Sequence, residues 1–266
     1  MLGRTLPFLV LLAAAPALAD GGAPVICVDP GHGGKQEGAV GPGNRREKDV
    51  ALQVGKLVAQ ELKSRLGARV VMTRERDEEV DLEERVRIAN EAGADVFVSI
   101  HCNSMPTSRA RRLAHGMETY FLSAEASGDA AKAVVARENA EQKKKEGPTD
   151  ALSFILNDLA RTQAHRDASR LAYAVHQKMT GQLDATDRGV HQAPFVVLMG
   201  AEMPAILVEL GYISHEQESK LLTDKAYQQR LARALTDGIE EFLTLVGRRT
   251  GPETPPARAE SATDAP

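Results

Sequence analysis

Cysteine is scarce in this 266-residue sequence, which contains only two such residues. Cys27 and Cys102 lie in apolar, strand-like runs, and their spacing is not that of the disulfide framework of a small secreted protein. We therefore expect two buried thiols that behave as small hydrophobic side chains. A single disulfide between them is the alternative in an oxidising compartment.

The sequence also lacks an excess of basic charge, with 33 Lys and Arg residues against 37 Asp and Glu residues and a formal net charge of -4. A protein that binds nucleic acid needs a broad positive field, so this balance excludes nucleic acid as a partner. Beyond the N-terminal leader, no apolar run is long enough to cross a bilayer. We expect one globular domain without a membrane span, acting as a monomer.

The first 19 residues, MLGRTLPFLVLLAAAPALA, have the pattern of a secretory signal peptide. Arg4 supplies the positive charge, an apolar stretch follows, and Ala17 and Ala19 stand before the expected cleavage site. A membrane anchor is the weaker alternative, because the apolar stretch is short and two prolines interrupt it. The sequence therefore predicts a periplasmic or secreted protein.

Strands and helices alternate through the first half of the chain. Apolar runs typical of strands occur at residues 24–29, 68–73 and 95–100. This alternation predicts an α/β fold, in which a mostly parallel twisted sheet is flanked by helices. We assign residues 20–247 to this single domain.

Two helices are predicted between these strands. Apolar residues recur at intervals of three and four from Glu47 to Leu66, and Gly67 stands where a helix C-terminal cap belongs. A second helix covers about residues 81–91, opened by a capping box of Asp81 and Glu84. Glu47 is thereby placed in the first turn of a helix.

The second half of the chain contains more helix than one crossover between strands needs. After a strand-like run at residues 116–122, the chain is polar and helical over 129–146, and after a Gly-Pro break it is helical again up to Gly181. Residues 123–165 are therefore predicted to form a helical insertion. Long insertions of this kind are often lids or regulatory elements.

The C-terminal region returns to the alternating pattern. Strands are predicted at residues 195–198 and 205–210, followed by a helix that Ser214 opens and a final helix from Lys225 to Val246. The tail at 248–266 is rich in proline, alanine, threonine and charge, so we expect it to be disordered.

Three dispersed side chains are candidate metal ligands. His32 follows the first strand, Glu47 begins a helix and His101 ends a later strand, and such positions converge at one edge of a parallel sheet. Catalytic zinc takes three N or O ligands from the protein and leaves a fourth position for water. Each residue also has an ordinary explanation: a surface histidine, a partner of the helix dipole and a buried histidine bonded to backbone.

Glu209 is the most informative single residue, because it lies in the apolar run AILVEL, where an unpaired carboxylate is costly to bury. One explanation is a salt bridge, for example to Arg188. The other is proton transfer beside a metal-bound water, which is the work of a general base and acid.

Four segments of the chain resemble the successive motifs of zinc-dependent N-acetylmuramoyl-L-alanine amidases, the type that acts at bacterial division sites. In order, they are VICVDPGHGGKQEGAVGPGNRREKDVAL, DVFVSIHCNS, HGMETYFL and RGVHQAPFVVLMGAEMPAILVELGYISH. The resemblance extends from about Val25 to Leu245. Its main departure is Cys102, which stands where a small residue such as alanine usually follows the histidine.

This resemblance implies a zinc enzyme in which His32, Glu47 and His101 hold Zn²⁺ and Glu209 is the catalytic glutamate. The implied reaction is hydrolysis of the amide between the lactyl group of N-acetylmuramic acid and the L-alanine of a peptidoglycan stem peptide. Such a reaction serves cell-wall remodelling and daughter-cell separation.

The resemblance also implies regulation. In relatives with a long insertion, an insertion helix covers the zinc cleft until an activating protein displaces it, and the segment VARENAEQ resembles that region. We expect Glu138 to fill the open zinc position, with Glu141 as the second choice and an exposed polar helix as the alternative. The expected activator is a LytM-type periplasmic protein. Arg188 is expected to pair with a carboxylate of the stem peptide.

Two other functions are compatible with the same fold. One is a catalytically inactive scaffold that binds peptidoglycan, and the presence of all three expected ligands and of Glu209 argues against it. The other is a zinc peptidase that cuts within the stem peptide, which the order of the motifs disfavours.

Overall fold

Eight strands and seven α-helices make up the part of the chain described by this computed structural model, residues 23–141 and 162–247. The strands are β1 (Val25–Pro30), β2 (Val40–Gly41), β3 (Arg45–Arg46), β4 (Arg69–Met72), β5 (Val96–Asn103), β6 (Met117–Leu122), β7 (Asp187–Ala193) and β8 (Ala205–Tyr212). The helices are α1 (Glu47–Leu66), α2 (Leu82–Glu91), α3 (Ser108–Leu113), α4 (Asp129–Glu138), α5 (Thr162–Leu183), α6 (Glu216–Leu222) and α7 (Lys225–Gly247).

Six of the strands form one sheet in the order β4-β1-β5-β8-β6-β7. Strands β4, β1, β5 and β8 are mutually parallel, whereas β6 runs antiparallel to β8 and is joined in parallel by β7. The predicted α/β fold with a mostly parallel sheet is confirmed. The carboxyl ends of β1, β5 and β8 lie at one edge, which is where α/β folds place their functional groups.

Each face of the sheet is buried. Ile26 and Val28 of β1 pack into one apolar cluster, which also contains residues of α1, α5 and α7. Cys27, between them, packs into a second cluster with residues of α2 and α4. This alternation follows from the period of two in a strand, and burial of both faces explains why the strands read as continuous apolar runs.

The prediction of a strand at residues 195–198 was wrong. Val196–Leu198 is a short 3-10 turn, closed by a hydrogen bond from the Leu198 amide to the Phe195 carbonyl at 3.0 Å. The strand beside β6 is β7, and Pro194 follows its last residue because proline has no N–H to donate to a ladder. Val196–Leu198 is buried, so its hydrophobicity reflects burial and not strand structure.

Two helix starts also differ from the prediction. Asp81 is the N-cap of α2, but its side chain makes no capping hydrogen bond, so the capping box is not formed. The N-cap of α6 is His215, whose ring accepts from the Glu218 amide at 3.4 Å. Ser214 instead accepts a hydrogen bond from the Met105 amide at 3.0 Å, which ties the end of β8 to the loop after β5.

Several predictions lie outside the described residues: the signal peptide at 1–19, the tail at 248–266 and the later part of the insertion. Helix α4 begins at Asp129, where the predicted helix at 129–146 begins, but it ends at Glu138 and a 3-10 turn follows at Asn139–Glu141. Residues 142–146 of that prediction lie outside the described residues. Among the described helices, none is both long and apolar enough for a bilayer crossing. Both cysteines are buried free thiols, as predicted.

Candidate metal centre

The loop after β1 places His32 at the carboxyl edge of the sheet. His32 has a φ of 58°, in the left-handed region that a side chain with a Cβ rarely adopts. Arg85 donates to the His32 carbonyl at 2.8 Å, and Arg74 donates to the Gly31 carbonyl at 2.7 Å. Both arginines are buried, and Arg85 is also paired with Asp29 at 2.7 Å. These charge-assisted hydrogen bonds hold the loop in its unusual conformation.

Two glycines allow the candidate ligands to approach one another. A Cβ on Gly31 would lie 2.3 Å from Cε1 and 2.4 Å from Nε2 of His101, closer than a van der Waals contact allows. Gly38 has a φ of 65°, and a Cβ there would lie 2.6 Å from the His32 ring and 2.7 Å from Oε2 of Glu47. The glycines of this loop are therefore required by close approach of the backbone to the site.

The structure brings the three predicted ligands together with Glu138. Nε2 of His32 lies 2.9 Å from Oε1 of Glu47, and Nδ1 of His101 lies 3.1 Å from the same oxygen. Oε2 of Glu138 lies 2.9 Å from Nδ1 of His101 and 3.3 Å from Nε2 of His32. One ligand atom from each of the four residues lies within 4.8 Å of all the others, and all four residues are buried.

The electrostatics of this cluster suit a divalent cation. Burial raises the pKa of Glu47, but the charge of His32 and hydrogen bonds from the histidines outweigh burial and lower the pKa to about 2. Burial lowers the pKa of His101, but the charge of Glu138 and hydrogen bonds to Glu138 and Glu47 raise it to about 9. The ionised carboxylates of Glu47 and Glu138 thus favour a proton on the imidazole of His101. A metal ion takes the place of that proton when it binds. Two imidazoles with carboxylate oxygens are a ligand set that zinc accepts.

Glu209 lies beside the cluster on the neighbouring strand. It stands opposite His101 in the parallel pair β5–β8 and is fully buried. Its Oε1 accepts a hydrogen bond from Arg137 at 3.0 Å. Burial raises the pKa of Glu209 well above its ordinary value, and the carboxylates of Glu138 and Glu47 act in the same direction against Arg137. A carboxyl group with a raised pKa holds a proton more readily than an ordinary one, which is a property that a general base and acid needs.

The sequence profile of the N-acetylmuramoyl-L-alanine amidase family matches residues 26–241. The chain belongs to this family. It is 34% identical over 229 residues to AmiC of Neisseria meningitidis serogroup B, a match that covers 84% of this chain and 54% of that relative. It is 33% identical over 228 residues to AmiA of Escherichia coli K12, covering 84% of this chain and 77% of that relative.

Solved structures agree with this assignment. The N-acetylmuramoyl-L-alanine amidase AmiC2 of Nostoc punctiforme superposes with a TM-score of 0.63 at 31% identity, and covers 84% of this chain and 98% of that one. The chain spans about half the length of the Neisseria relative and nearly all of the Nostoc chain. The family and the fold expected from the sequence motifs are thereby confirmed.

The end of α4 covers the site in this chain. Glu138, the residue expected in the open metal position, is the last residue of the helix and faces both histidines. The preceding residue, Arg137, was not predicted to take part, yet it contacts Glu209. Its signal in the sequence was its place beside Glu138 in the segment VARENAEQ. Glu141 was the second choice for the metal position, and its side chain is not among the side chains that the structure describes.

One explanation of the buried Glu209, offered from the sequence, was a salt bridge to Arg188. The two residues do not form that pair. Arg188 donates through Nε to Oε1 of Glu118 at 2.5 Å, and its guanidinium lies 5.1 Å from the centre of the Tyr212 ring. Sequence reasoning missed Glu118. Its signal was the same as that of Glu209, since both are glutamates within apolar strands and both are buried.

Proposed function

We propose that this amidase is a zinc-dependent hydrolase that cleaves the amide between the lactyl group of N-acetylmuramic acid and the L-alanine of peptidoglycan stem peptides. In this proposal His32, Glu47 and His101 hold the metal. The observation that carries the proposal is the convergence of their ligand atoms within 4.8 Å, beside the buried Glu209, in a chain of this family.

The ligands are themselves held in place by the fold. Glu47 accepts hydrogen bonds from the Ala39 amide at 2.8 Å and from the Cys102 amide at 2.9 Å. These bonds fix the carboxylate that faces both histidines, so the site is oriented before the metal arrives. When bound, Zn²⁺ supplies a Lewis acid that polarises the scissile carbonyl and lowers the pKa of water.

Glu209 is the general base and acid of the proposal. It takes a proton from the attacking water and passes a proton to the leaving nitrogen, so that no negative charge builds up on the nitrogen as the C–N bond breaks. Its raised pKa supports this role, because a carboxyl group with an ordinary pKa binds a proton weakly at neutral pH.

Arg188 is proposed to bind a carboxylate of the stem peptide. Glu118 holds its Nε, and the side chain is 30% exposed, so part of the guanidinium remains accessible. A fixed guanidinium loses less freedom when it binds a carboxylate than a mobile one does.

The contacts of α4 support an autoinhibited resting state. Glu138 faces His32 and His101 with the oxygen that a metal ion would accept as a further ligand, and a carboxylate in that position excludes water and substrate. Activity then requires a partner that binds the form in which α4 has moved away. We propose a LytM-type protein in this role, acting on the insertion at 123–165.

The remaining parts of the proposal concern location and assembly. The leader at 1–19 exports the chain, so that a monomeric domain at 20–247 acts on peptidoglycan in the periplasm or outside the cell. The leader pattern supports export, and the family supports a cell-wall substrate.

The test is hydrolysis of purified peptidoglycan by residues 20–266, with the products identified by mass spectrometry. The protein carries Glu138→Ala so that the insertion does not mask activity, and it is assayed with zinc and after chelation. Stem peptides with a free N-terminal L-alanine are expected only with zinc, and Glu209→Ala is expected to remove them. The exposed residue Glu240, changed to alanine, is the matched control. Cleavage inside the stem peptide, or products that survive Glu209→Ala, would contradict the proposal.

A further inference from the structure

The guanidinium of Arg137 lies in a ring of hydrogen-bond acceptors, three of which belong to the edge of the sheet. It donates to Oε1 of Glu209 at 3.0 Å, to Oδ1 of Asn103 at 2.9 Å and to the carbonyl oxygen of Ser104 at 3.1 Å. A fourth bond, from Nε to Oε1 of Glu138, stays within α4. Three oxygens therefore face a single cationic group. Two come from Asn103 and Ser104 at the end of β5, and one comes from Glu209 on the neighbouring strand β8.

The orientation of Asn103 does not depend on Arg137. Its Nδ2 donates to Oε2 of Glu118 at 2.9 Å, and its Oδ1 accepts the Ser104 amide at 2.8 Å. Glu118 also accepts the hydroxyl groups of Tyr120 at 2.6 Å and Tyr212 at 2.8 Å. A carboxylate that accepts from its neighbours can only receive the NH₂ end of the amide, so the carbonyl end of Asn103 is turned toward the site by the fold itself.

The proposed reaction creates a cation at this place. Hydrolysis breaks the C–N bond, adds the oxygen of water to the carbonyl carbon and leaves the protons of water on the products. At neutral pH those products are the lactyl carboxylate and the ammonium group of L-alanine. Glu209 delivers a proton to the leaving nitrogen, so the new amine forms against the carboxylate that Arg137 now contacts.

The end of α4 carries one cation and one carboxylate, as do the two reaction products, the ammonium group of L-alanine and the lactyl carboxylate. Arg137 puts a cation on Glu209, and Glu138 puts a carboxylate oxygen on His32 and His101. We infer that Oε1 of Glu209, Oδ1 of Asn103 and the carbonyl of Ser104 form the subsite for the α-amino group of the leaving stem peptide, and that Arg137 occupies this subsite in the closed enzyme. The inference rests on the proposed function and names the part of the substrate that these atoms recognise.

The subsite makes a chemical demand of its ligand. Three acceptors suit the three N–H bonds of an alkylammonium group, whereas an N-acylated alanine has one N–H and no charge. Hydrogen bonds to charged groups contribute about 1.5–3 kcal/mol each, so loss of the Asn103 acceptor is expected to weaken ammonium binding by about tenfold to a hundredfold.

The first experiment measures binding, not turnover. The full mature chain with Arg137→Ala and Glu138→Ala is loaded with zinc and titrated calorimetrically with purified stem peptide, either with its L-alanyl amine free or with that amine acetylated. The free amine is expected to bind at least tenfold more tightly. Adding Asn103→Ala is expected to remove most of this preference. Equal affinity for the two peptides, or a preference that survives Asn103→Ala, would overturn the inference.

Asn90 provides the matched control, because it is also an asparagine with both ends of its amide bonded, to the Gly200 carbonyl and the Glu202 amide. Asn90→Ala is expected to leave the preference unchanged. Release of stem peptides from peptidoglycan by the same open variant tests the proposed function separately. Hydrolysis without discrimination between the two peptides removes the subsite alone, whereas absence of hydrolysis removes the function.

A second experiment covers the case in which Asn103→Ala does not fold. In the otherwise native chain, Arg137→Lys keeps a cation with three N–H bonds, and Arg137→Met removes the charge at similar length. The lysine variant is expected to retain low basal hydrolysis and the methionine variant to raise it several-fold. The inference is contradicted by a methionine variant as inactive as the native chain, or by a lysine variant as active as the methionine one.

Discussion

Glu118 and Glu209 stand opposite one another in the antiparallel pair β6–β8, both buried, and their pKa values are shifted in opposite directions. Burial raises the pKa of each. For Glu118, hydrogen bonds from Arg188, Tyr120 and Tyr212 outweigh burial and lower the pKa below its ordinary value. For Glu209, burial and neighbouring carboxylates prevail. This separation suits the proposed function, in which Glu118 stays ionised and holds Arg188 while Glu209 exchanges protons.

The first prediction follows from this division. Glu209→Gln is expected to lower the rate of peptidoglycan hydrolysis by about 10²–10⁴-fold, because the amide keeps the shape of the side chain but cannot transfer the proton. Zinc content, measured by atomic absorption, is expected to stay at the native level. Glu240→Gln, at an exposed position, serves as the control. A variant that loses its zinc together with its activity would assign Glu209 to metal binding instead.

The second prediction concerns the cover of the site. Glu138→Ala removes a carboxylate that faces both histidines, so basal hydrolysis by the isolated chain is expected to rise by about tenfold or more, which corresponds to about 1.4 kcal/mol in favour of the open form. Asp129→Ala, at the exposed start of the same helix, is expected to leave the rate unchanged. Unchanged or lower activity in a folded Glu138→Ala protein would remove this residue from the inhibitory role.

The third prediction uses the close approach of Gly31 to His101. Gly31→Ala would place a methyl group 2.3 Å from the His101 ring, so the ring must move and zinc affinity is expected to fall about 10–100-fold, as it does when the support of a ligand is disturbed. Competition with a chromogenic chelator measures the affinity. Gly181→Ala is the control, because nothing lies within 4 Å of its added Cβ and it is in a helix. Equal affinities in the two variants would show that His101 is not a ligand.

The fourth prediction concerns pH and stability. Asp29 is fully buried against Arg85, Ser99 and Thr73, and although burial raises its pKa, these partners lower it below the model-peptide value of 3.8. Its contribution to stability is therefore complete above pH 3.8 and is lost as pH falls through the lower folded-state pKa. Asp29→Asn leaves Arg85 buried without its counter-charge and is expected to cost about 3–5 kcal/mol near neutral pH.

Urea unfolding over a pH series that starts near neutral pH and continues below the ordinary Asp pKa of 3.8 measures this contribution. The free energies of unfolding of the native chain and of Asp29→Asn are expected to converge at the acidic end of the series. Asp129→Asn, whose carboxylate is exposed, should match the native protein throughout. A difference between native and Asp29→Asn proteins that stays constant with pH would show that packing, and not charge, is the cause.

Local pattern predicted most of the fold. The bounds of α1 and its glycine cap match the prediction, because an apolar stripe at helical spacing and a left-handed C-terminal residue are both local properties. The apolar run at 195–198 misled, since burial under tertiary contacts produces the same pattern as a strand. The side-chain role of Asp81 and the N-cap of α6 depended on which of several adjacent polar residues turns inward, which the sequence does not specify.

The part of the candidate site that could be predicted from the sequence is the set of residues in motifs at the ends of strands and at the start of a helix. His32, Glu47 and His101 were assigned from strand ends, a helix start and the resemblance, and they do converge. The partner of Glu209 was not predictable from residue types, because Arg137 and Arg188 are both arginines near candidate loops and their separate pairings arise from how α4 and β7 dock. The network around Glu118 joins four strands, and no spacing in the sequence encodes it.

The position of Arg137 and Glu138 at the end of α4 has a mechanical consequence. They are adjacent in the chain at the end of the helix, and the next residue, Asn139, is bonded to the Pro194 carbonyl at 2.9 Å and to the Val196 amide at 3.0 Å. A movement of the helix end that breaks these two bonds withdraws the cation from Glu209 and the carboxylate from the histidines together. Under the proposed function, one movement of the helix end therefore changes proton transfer and metal access at the same time.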